Sequence, residues 1–409
     1  MIELYKEDKQ CCGCAACEAV CPTNNIRMKL NFEGYYYPIL LAEEKCIGCG
    51  QCLKVCPMKE EKSLVSQSHK VYAAITQDDE VWRSSSSGGA FSEICRALDT
   101  ETPIIFGARW DGLSVVMDYC EGFNSMKPFR KSKYVIANPN KTYRQVQECL
   151  NSGRFVIYSG TPCQINGLKL YLGKEYEKLV TIDFACHGQG SKFVFEKWIQ
   201  HLEKQYKQKV VSFSFREKKT VVDHVNSNCC SFVLESGEKI IETRDYYHHA
   251  YVNGLCVRKS CETCQFAADR KADITLADFK NLKKGWKDFR KKNVSTIITN
   301  NFRGENIVRL LKNMTFIEPN PDFVYRYNPK LVRGLSGNPN RDAFMNLVLI
   351  NHTDILQSIV KYAKMTPAEI YEYNHSERSA KFIIPVINFW GRIKRIPQKI
   401  CRTSWENRH

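Results

Sequence analysis

What this chain of 409 residues lacks narrows it first. No apolar run approaches the roughly eighteen residues a membrane span needs. The longest, FIIPVINFW from Phe382 to Trp390, is interrupted by a proline. The opening MIELYKEDKQ is too charged for a secretory leader, so the expectation is a cytoplasmic chain. Acidic residues are in deficit, with 44 Asp and Glu against 60 Lys and Arg and a formal net charge of +16. That balance favours anionic partners: flavin phosphates, an acidic redox protein, nucleic acid or a membrane surface. The basic residues are scattered, however, and no stripe interleaved with aromatics marks a nucleic-acid site. Nucleic acid is therefore not the expected partner.

Cysteine is what the chain has in excess, with 20 of them. A reducing cytoplasm excludes a disulfide framework, which leaves metal or cluster ligation as the default. If twelve thiolates held three clusters of about −2 each, the positive surplus would fall to roughly +10. Two stretches carry the signal. CCGCAACEAVCP places Cys11, Cys14, Cys17 and Cys21 at C-x2-C-x2-C-x3-C, followed by Pro22. CIGCGQCLKVCP repeats the spacing with Cys46, Cys49, Cys52, Cys56 and Pro57. This is the bacterial ferredoxin run, in which the fourth cysteine crosses to the other cube. Cys11, Cys14, Cys17 and Cys56 are thus assigned to one 4Fe-4S cluster, and Cys46, Cys49, Cys52 and Cys21 to the other. Structural zinc also takes four thiolates, but it usually pairs two separate CxxC knuckles. Cys12 is left as a non-ligand.

Past Pro57 the chain divides into a polar linker at 61–70, a main domain at 71–335 and a helical, basic region at 336–409. The expected fold class is α+β with α/β: a ferredoxin-like dicluster domain at 1–60 joined to a mixed-sheet α/β flavoprotein domain. IRMKLNFEGYYYPIL reads as a hairpin centred on Glu33 and Gly34. VYAAI, RFVIY and KLVTIDF read as strands, and helices alternate with them. NPNKTYRQVQECLNSG reads as a helix with Asn140 as N-cap. Strand–helix–strand order implies parallel pairing, whereas VSFSF, CCSFVL and EKIIE alternate as antiparallel strands.

Cys163 follows RFVIY and Cys186 follows KLVTIDF. Parallel strands would bring both to one carboxyl edge, where open α/β sheets bind ligands. Cys261 and Cys264 form a CxxC farther on, and the four thiols are enough for a third 4Fe-4S cluster. Free cysteines are also among the most buried residue types and need no function, so the residues alone leave both readings open. SSSSGGAF offers a glycine-rich turn leading into a helix, a place for a pyrophosphate. Ser86, Ser87, Gly88 and Gly89 are the candidate contacts, with Lys133 as a cation. An N-cap with a flexible linker would look the same.

GTPCQINGLK, DFACHGQGS and RKSCETCQFAADRKADITLADF, preceded by SSSSGGAFSEI and KSKYV, carry a resemblance. In this order they resemble the coenzyme F420 hydrogenase/dehydrogenase beta-subunit family over roughly residues 1–330. The resemblance implies an FAD-dependent electron-transfer enzyme whose third cluster is held by Cys163, Cys186, Cys261 and Cys264. Bacterial relatives read DFWG where this chain has DFKN, Asp278 to Asn281, which puts the substrate side of the site in question.

The expected function is an iron–sulfur flavoprotein oxidoreductase. It would pass electrons between a ferredoxin-type partner and a small organic or deazaflavin substrate through the clusters and FAD. The rival readings are a carrier without substrate chemistry and a zinc-dependent nucleic-acid-binding protein. The tail WGRIKRIPQKICRTSWENR offers an anionic membrane a peripheral contact, although a solvated basic end needs no partner.

Overall fold

Glu33 and Gly34 turn the chain between β1 (Ile26–Leu30) and β2 (Tyr36–Leu40), with Gly34 at φ 82°. The two strands pair antiparallel, Met28 opposite Pro38, as the sequence predicts. Around the hairpin lie two short helices, Ala16–Val20 and Gln51–Lys54. Each starts after a left-handed residue at the same place in its motif, Ala15 at φ 68° and Gly50 at φ 70°. The computed structural model describes residues 3–60, 70–221, 224–242, 245–281, 289 and 292–363. The expected linker, except Lys70, and the basic tail beyond 363 lie outside these residues.

The rest is built on one large sheet. Its strands are β3 (Lys70–Thr76), β4 (Ile104–Asp111), β5 (Ser114–Glu121), β6 (Ala137–Asn138), β7 (Val156–Ser159) and β8 (Leu179–Phe184). A separate antiparallel sheet holds β9 (Val210–Val221), β10 (His224–Leu234) and β11 (Lys239–Glu242). The large sheet then gains β12 (Ile274–Asp278), β13 (Ser295–Thr299) and β14 (Met314–Ile317). Its order is β14-β3-β13-β12-β8-β7-β4-β5-β6. β12, β8, β7 and β4 run parallel as neighbours, and the flanking pairs β13–β3 and β4–β5 are antiparallel. The sheet is therefore mixed, as expected.

The central strands are apolar on both faces because helices cover both. Ile105, Ile157, Ile182 and Ile297 face the helices Ala90–Ala97 and Phe302–Arg309. Phe106, Val156 and Tyr158 face the helices Thr142–Asn151 and Pro162–Leu172. Cys12, Ala16, Ala19 and Val55 of the N-terminal lobe share that second core, so the dicluster lobe sits on the main domain rather than apart from it.

One sequence expectation changes. Asn140 does not cap its helix: Asn140 and Lys141 are both left-handed, and the helix begins at Thr142. The helices Arg341–Leu349 and Ile355–Tyr362, in the region expected to be helical, bury Phe344, Val348 and Ile359 in one core with Trp198 and Tyr247. Each such side chain taken from water contributes about 1.5–3 kcal/mol.

Candidate iron–sulfur centres and cofactor cleft

The N-terminal thiols gather in two small cavities. One is lined by Cys11, Cys14, Cys17 and Cys56, together with Cys12 and Cys52. The other is lined by Cys21, Cys46, Cys49 and Cys52. Each cavity brings together one of the crossed sets expected from the spacing, and Cys52 borders both. Backbone amides point at sulfur: Gly13 N–H donates to Cys11 Sγ at 3.4 Å and Asn25 N–H to Cys21 Sγ at 3.3 Å. Burial pushes the Cys17 thiol well up, and Cys11 and Cys56 push it further. Thiols so crowded become stable thiolates only beside a strong positive charge, which a bound cluster supplies.

Four more thiols converge on the main domain. β7 and β8 are parallel, so the loops that follow them leave the same sheet edge. Cys163 is the second residue of the helix Pro162–Leu172, whose start is fixed by Thr161 and Gln164: Thr161 N–H donates to Gln164 Oε1 at 2.9 Å. Cys186 lies two residues past β8. Gly188 lets the segment Val257–Cys264 come close, since a Cβ there would sit 2.3 Å from Val257 Cγ1 and 3.2 Å from Cys261 Cβ. Burial, then Cys261, Cys163 and Cys264, raise the Cys186 thiol. Burial, then Cys163, push Cys261 up to about 12. All four thiols therefore lie within electrostatic reach of one another. The neighbouring Cys12 thiol, then burial, push Cys163 well up, so Cys12 lies beside this set as well.

Beside Cys186 opens a cleft of about 320 Å³, within the size range of ligand pockets. Ser86, Ser87, Gly89 and Lys133 line it, and so do Thr161, Cys186, His187 and Gly13 of the N-terminal lobe. Its apolar walls include Met117, Phe129, Ile182 and Leu276. Gly88 lies behind the wall. Its N–H donates to Ser295 Oγ at 2.9 Å, and a Cβ on it would lie 2.3 Å from Ala74 O.

The anion cradle expected of the serine–glycine segment therefore changes in detail. Gly88 N–H is not free. Ser87 Oγ–H donates to Val294 O, and Ser86 Oγ accepts from Ser132 N–H at 2.8 Å. Lys133 Nζ donates to three backbone carbonyls of its own loop, Arg130 at 2.7 Å among them. Burial, then Lys131, hold Lys133 down to about 7. Arg130 also lines the cleft and keeps a buried Nε–H without a hydrogen-bond partner. Arg216 was not anticipated. It bonds Asp278 Oδ2 at 2.9 Å, Tyr134 Oη at 3.0 Å and Ser86 O at 3.1 Å, and no local pattern in β9 announces it. Tyr134, in the KSKYV stretch, stacks with His248 at 4.5 Å and Tyr251 at 5.0 Å, and Tyr251 reaches His187 at 5.1 Å. Burial, then Lys330, hold His187 down to about 4, so it is neutral, and its Nε2–H donates to Val252 O at 3.0 Å.

In the DFKN motif, Asp278 takes Arg216 and Phe279 is buried. Asn281, which stands where bacterial relatives have glycine, adopts φ 62°. Asn is among the few residues that enter this left-handed region readily. Asn281 thus supplies a left-handed turn at this point, and Lys280 before it is an exposed cation.

Residues 10–60 and 38–85 match family models described as 4Fe-4S dicluster domains. Residues 153–322 match the model that describes the C terminus of the coenzyme F420 hydrogenase/dehydrogenase beta subunit. No curated protein matches the chain. Among solved structures, a chain of the F420-reducing [NiFe] hydrogenase complex from Methanosarcina barkeri is similar, with 13% identity and a TM-score of 0.43 over 64% of this chain and 88% of that one. The chain is thus similar over residues 153–322 to the C terminus of the coenzyme F420 hydrogenase/dehydrogenase beta subunit, with a match to 4Fe-4S dicluster domains in front of it.

Proposed function

We propose that this protein passes electrons between a ferredoxin-type partner and a small organic or deazaflavin substrate, using three 4Fe-4S clusters and an FAD. Cys11, Cys14, Cys17 and Cys56 would hold the first cluster, Cys21, Cys46, Cys49 and Cys52 the second, and Cys163, Cys186, Cys261 and Cys264 the third. A flavin supplies the junction between single-electron and hydride chemistry. The observation that carries the reading is the shared cleft: Ser86 and Ser87, Cys186 and His187, and Gly13 of the dicluster lobe border the same space.

The chain's own residues fit a flavin there. Arg130, Lys131 and Arg216 line the cleft against the single acidic neighbour Asp278 in its lining, a positive excess that suits a pyrophosphate. The unpartnered Arg130 Nε–H is a ready donor. The apolar walls suit a flat ring system and exclude water from it. The second thiol set faces outward, with Cys49 exposed and the neighbouring Ile47 68% exposed, so a redox partner would meet the protein there. No helix among the described residues is long and apolar enough to cross a membrane.

The test is anaerobic purification with iron, sulfide and flavin counted per chain. About twelve irons and one FAD are expected from three cubes and one flavin pocket, together with reduction of the flavin by reduced ferredoxin. A preparation with about eight irons and no flavin would reduce the protein to a dicluster carrier.

A further inference from the structure

Arg258 stands three residues before Cys261 and is fully buried, at 0% exposure. Its Nε–H donates to Cys11 O at 2.9 Å and its Nη1 to Tyr36 O at 2.9 Å. The guanidinium carbon lies 3.9 Å from the centre of the Tyr37 ring. Nη2 has no hydrogen-bond partner, and among the described residues Arg258 makes no ion pair with a carboxylate. Room for it is made by Gly13, since a Cβ there would sit 2.7 Å from Nη1.

A guanidinium taken out of water without a counter-charge is strongly destabilising. The candidate anions around this one are sulfur. Beyond its bond to Cys11 O, Arg258 accepts from Cys261 N–H at 3.0 Å through its own carbonyl, and its Nη1 lies 3.5 Å from Gln189 Oε1, whose Nε2 reaches Cys163 Sγ at 3.9 Å. Cys11 belongs to the first thiol set, and Cys163 and Cys261 belong to the third. The cation thus lies at the seam between two anionic centres. Gln189 braces the same seam, its Nε2 donating to Cys12 O at 2.9 Å.

We propose that Arg258 is a positioning residue shared by two cluster sites, the common counter-charge of the Cys11/Cys14/Cys17/Cys56 and Cys163/Cys186/Cys261/Cys264 sets, and that it raises the reduction potential of both. This rests on the three-cluster reading. Adding an electron makes a site more negative, and a fixed cation in a low-dielectric interior favours that state. At the outward site Arg144 Nη2 donates to Cys21 O at 3.2 Å, but that guanidinium is only half-buried and solvent screens its charge.

The experiment is an anaerobic redox titration of the full-length protein followed by electron paramagnetic resonance, with iron counted first. Arg258→Gln should lower the reduction equilibrium constant of two centres by about tenfold each, about 59 mV for one electron. The centre whose signal Cys49→Ser removes should stay put. Arg258→Lys keeps the charge and should leave all three within about threefold, or roughly 30 mV. Arg258→Gln with a full iron complement and fewer than two displaced centres overturns the proposal. If Arg258→Gln purifies short of iron, Arg258→Lys decides, and a tenfold fall there despite the retained charge overturns it equally. Unmodified protein with only about eight irons would instead sink the three-cluster reading before any variant is made.

Discussion

Glu33 and Arg341 stand 308 positions apart and meet in a buried bidentate ion pair, Nη1–Oε1 at 2.9 Å and Nη2–Oε2 at 2.7 Å. Arg341 Nε–H also donates to Val257 O at 2.7 Å. One guanidinium therefore ties the turn of the dicluster hairpin, the residue before Arg258 and the C-terminal helix into a single unit.

Breaking that pair should be costly. Arg341→Ala leaves the Glu33 carboxylate buried without its partner, and such losses typically cost 3–5 kcal/mol. The expected result is a lower unfolding midpoint in anaerobic denaturant titration. The double variant Glu33→Gln/Arg341→Met should recover part of the loss, because no charge remains buried. A loss below about 1 kcal/mol for Arg341→Ala would mean the pair is solvated in solution.

The cysteines separate by role. Cys264→Ser should lose about four of about twelve irons and leave the two N-terminal signals intact. Cys12→Ala should keep every iron, although Cys12 lines the first cavity and lies within electrostatic reach of Cys163. Iron counting on both variants settles the matter. A Cys12→Ala protein short of four irons would make Cys12 a ligand in place of one of the twelve.

The dicluster motifs were legible because ligand spacing is local, and a loop that wraps a cube must have it. The core strands around β7 and β8 were legible for a similar reason, since apolar runs and helical stripes follow one face of one element. The hairpin of β4 and β5 went unread, although Asp111 and Gly112 at its turn are a recognised hairpin signal. Arg216, Gln189 and Arg258 were beyond reach. Each acts through partners more than sixty positions away, and a lone arginine beside a CxxC looks like any solvated charge. The serine–glycine segment was half legible. Its position on the cleft follows from the strand–helix order, but the use of Gly88 N–H by Ser295 depends on β13, which only the fold brings near.

Gly88 itself is a sharp test of that wall. An added methyl group would meet Ala74 O at 2.3 Å and Ser295 N at 2.5 Å. Both are backbone atoms of paired strands and cannot swing away. Gly88→Ala should therefore cost about 1–3 kcal/mol and lower flavin retention on gel filtration. Ser86→Ala, which removes only a hydroxyl contact to Ser132, should cost about 1 kcal/mol. Equal stability of the two variants would mean that the strands around Gly88 are looser than their hydrogen bonds indicate.

Asp245 makes the stability depend on pH. It caps the helix Tyr246–Val252, accepting from His248 N–H at 2.9 Å, yet burial pushes its carboxyl up to about 7. Between the unfolded value near 3.9 and about 7, the folded chain holds a proton that the unfolded chain has released. Stability from this group is therefore greatest in acid and is lost as pH rises through that window. His248 works the other way, since burial, then Arg216, hold it down to about 3, and its neutral form gains ground as pH rises. Asp245→Asn keeps the cap and removes one titration, so comparing it with the unmodified protein isolates the carboxyl. From about pH 5.5 to about pH 7.5 the variant should gain about 2 kcal/mol relative to the unmodified protein. Anaerobic denaturant titrations at the two pH values read this difference directly, and a constant offset between the two proteins would mean that Asp245 is ionised throughout.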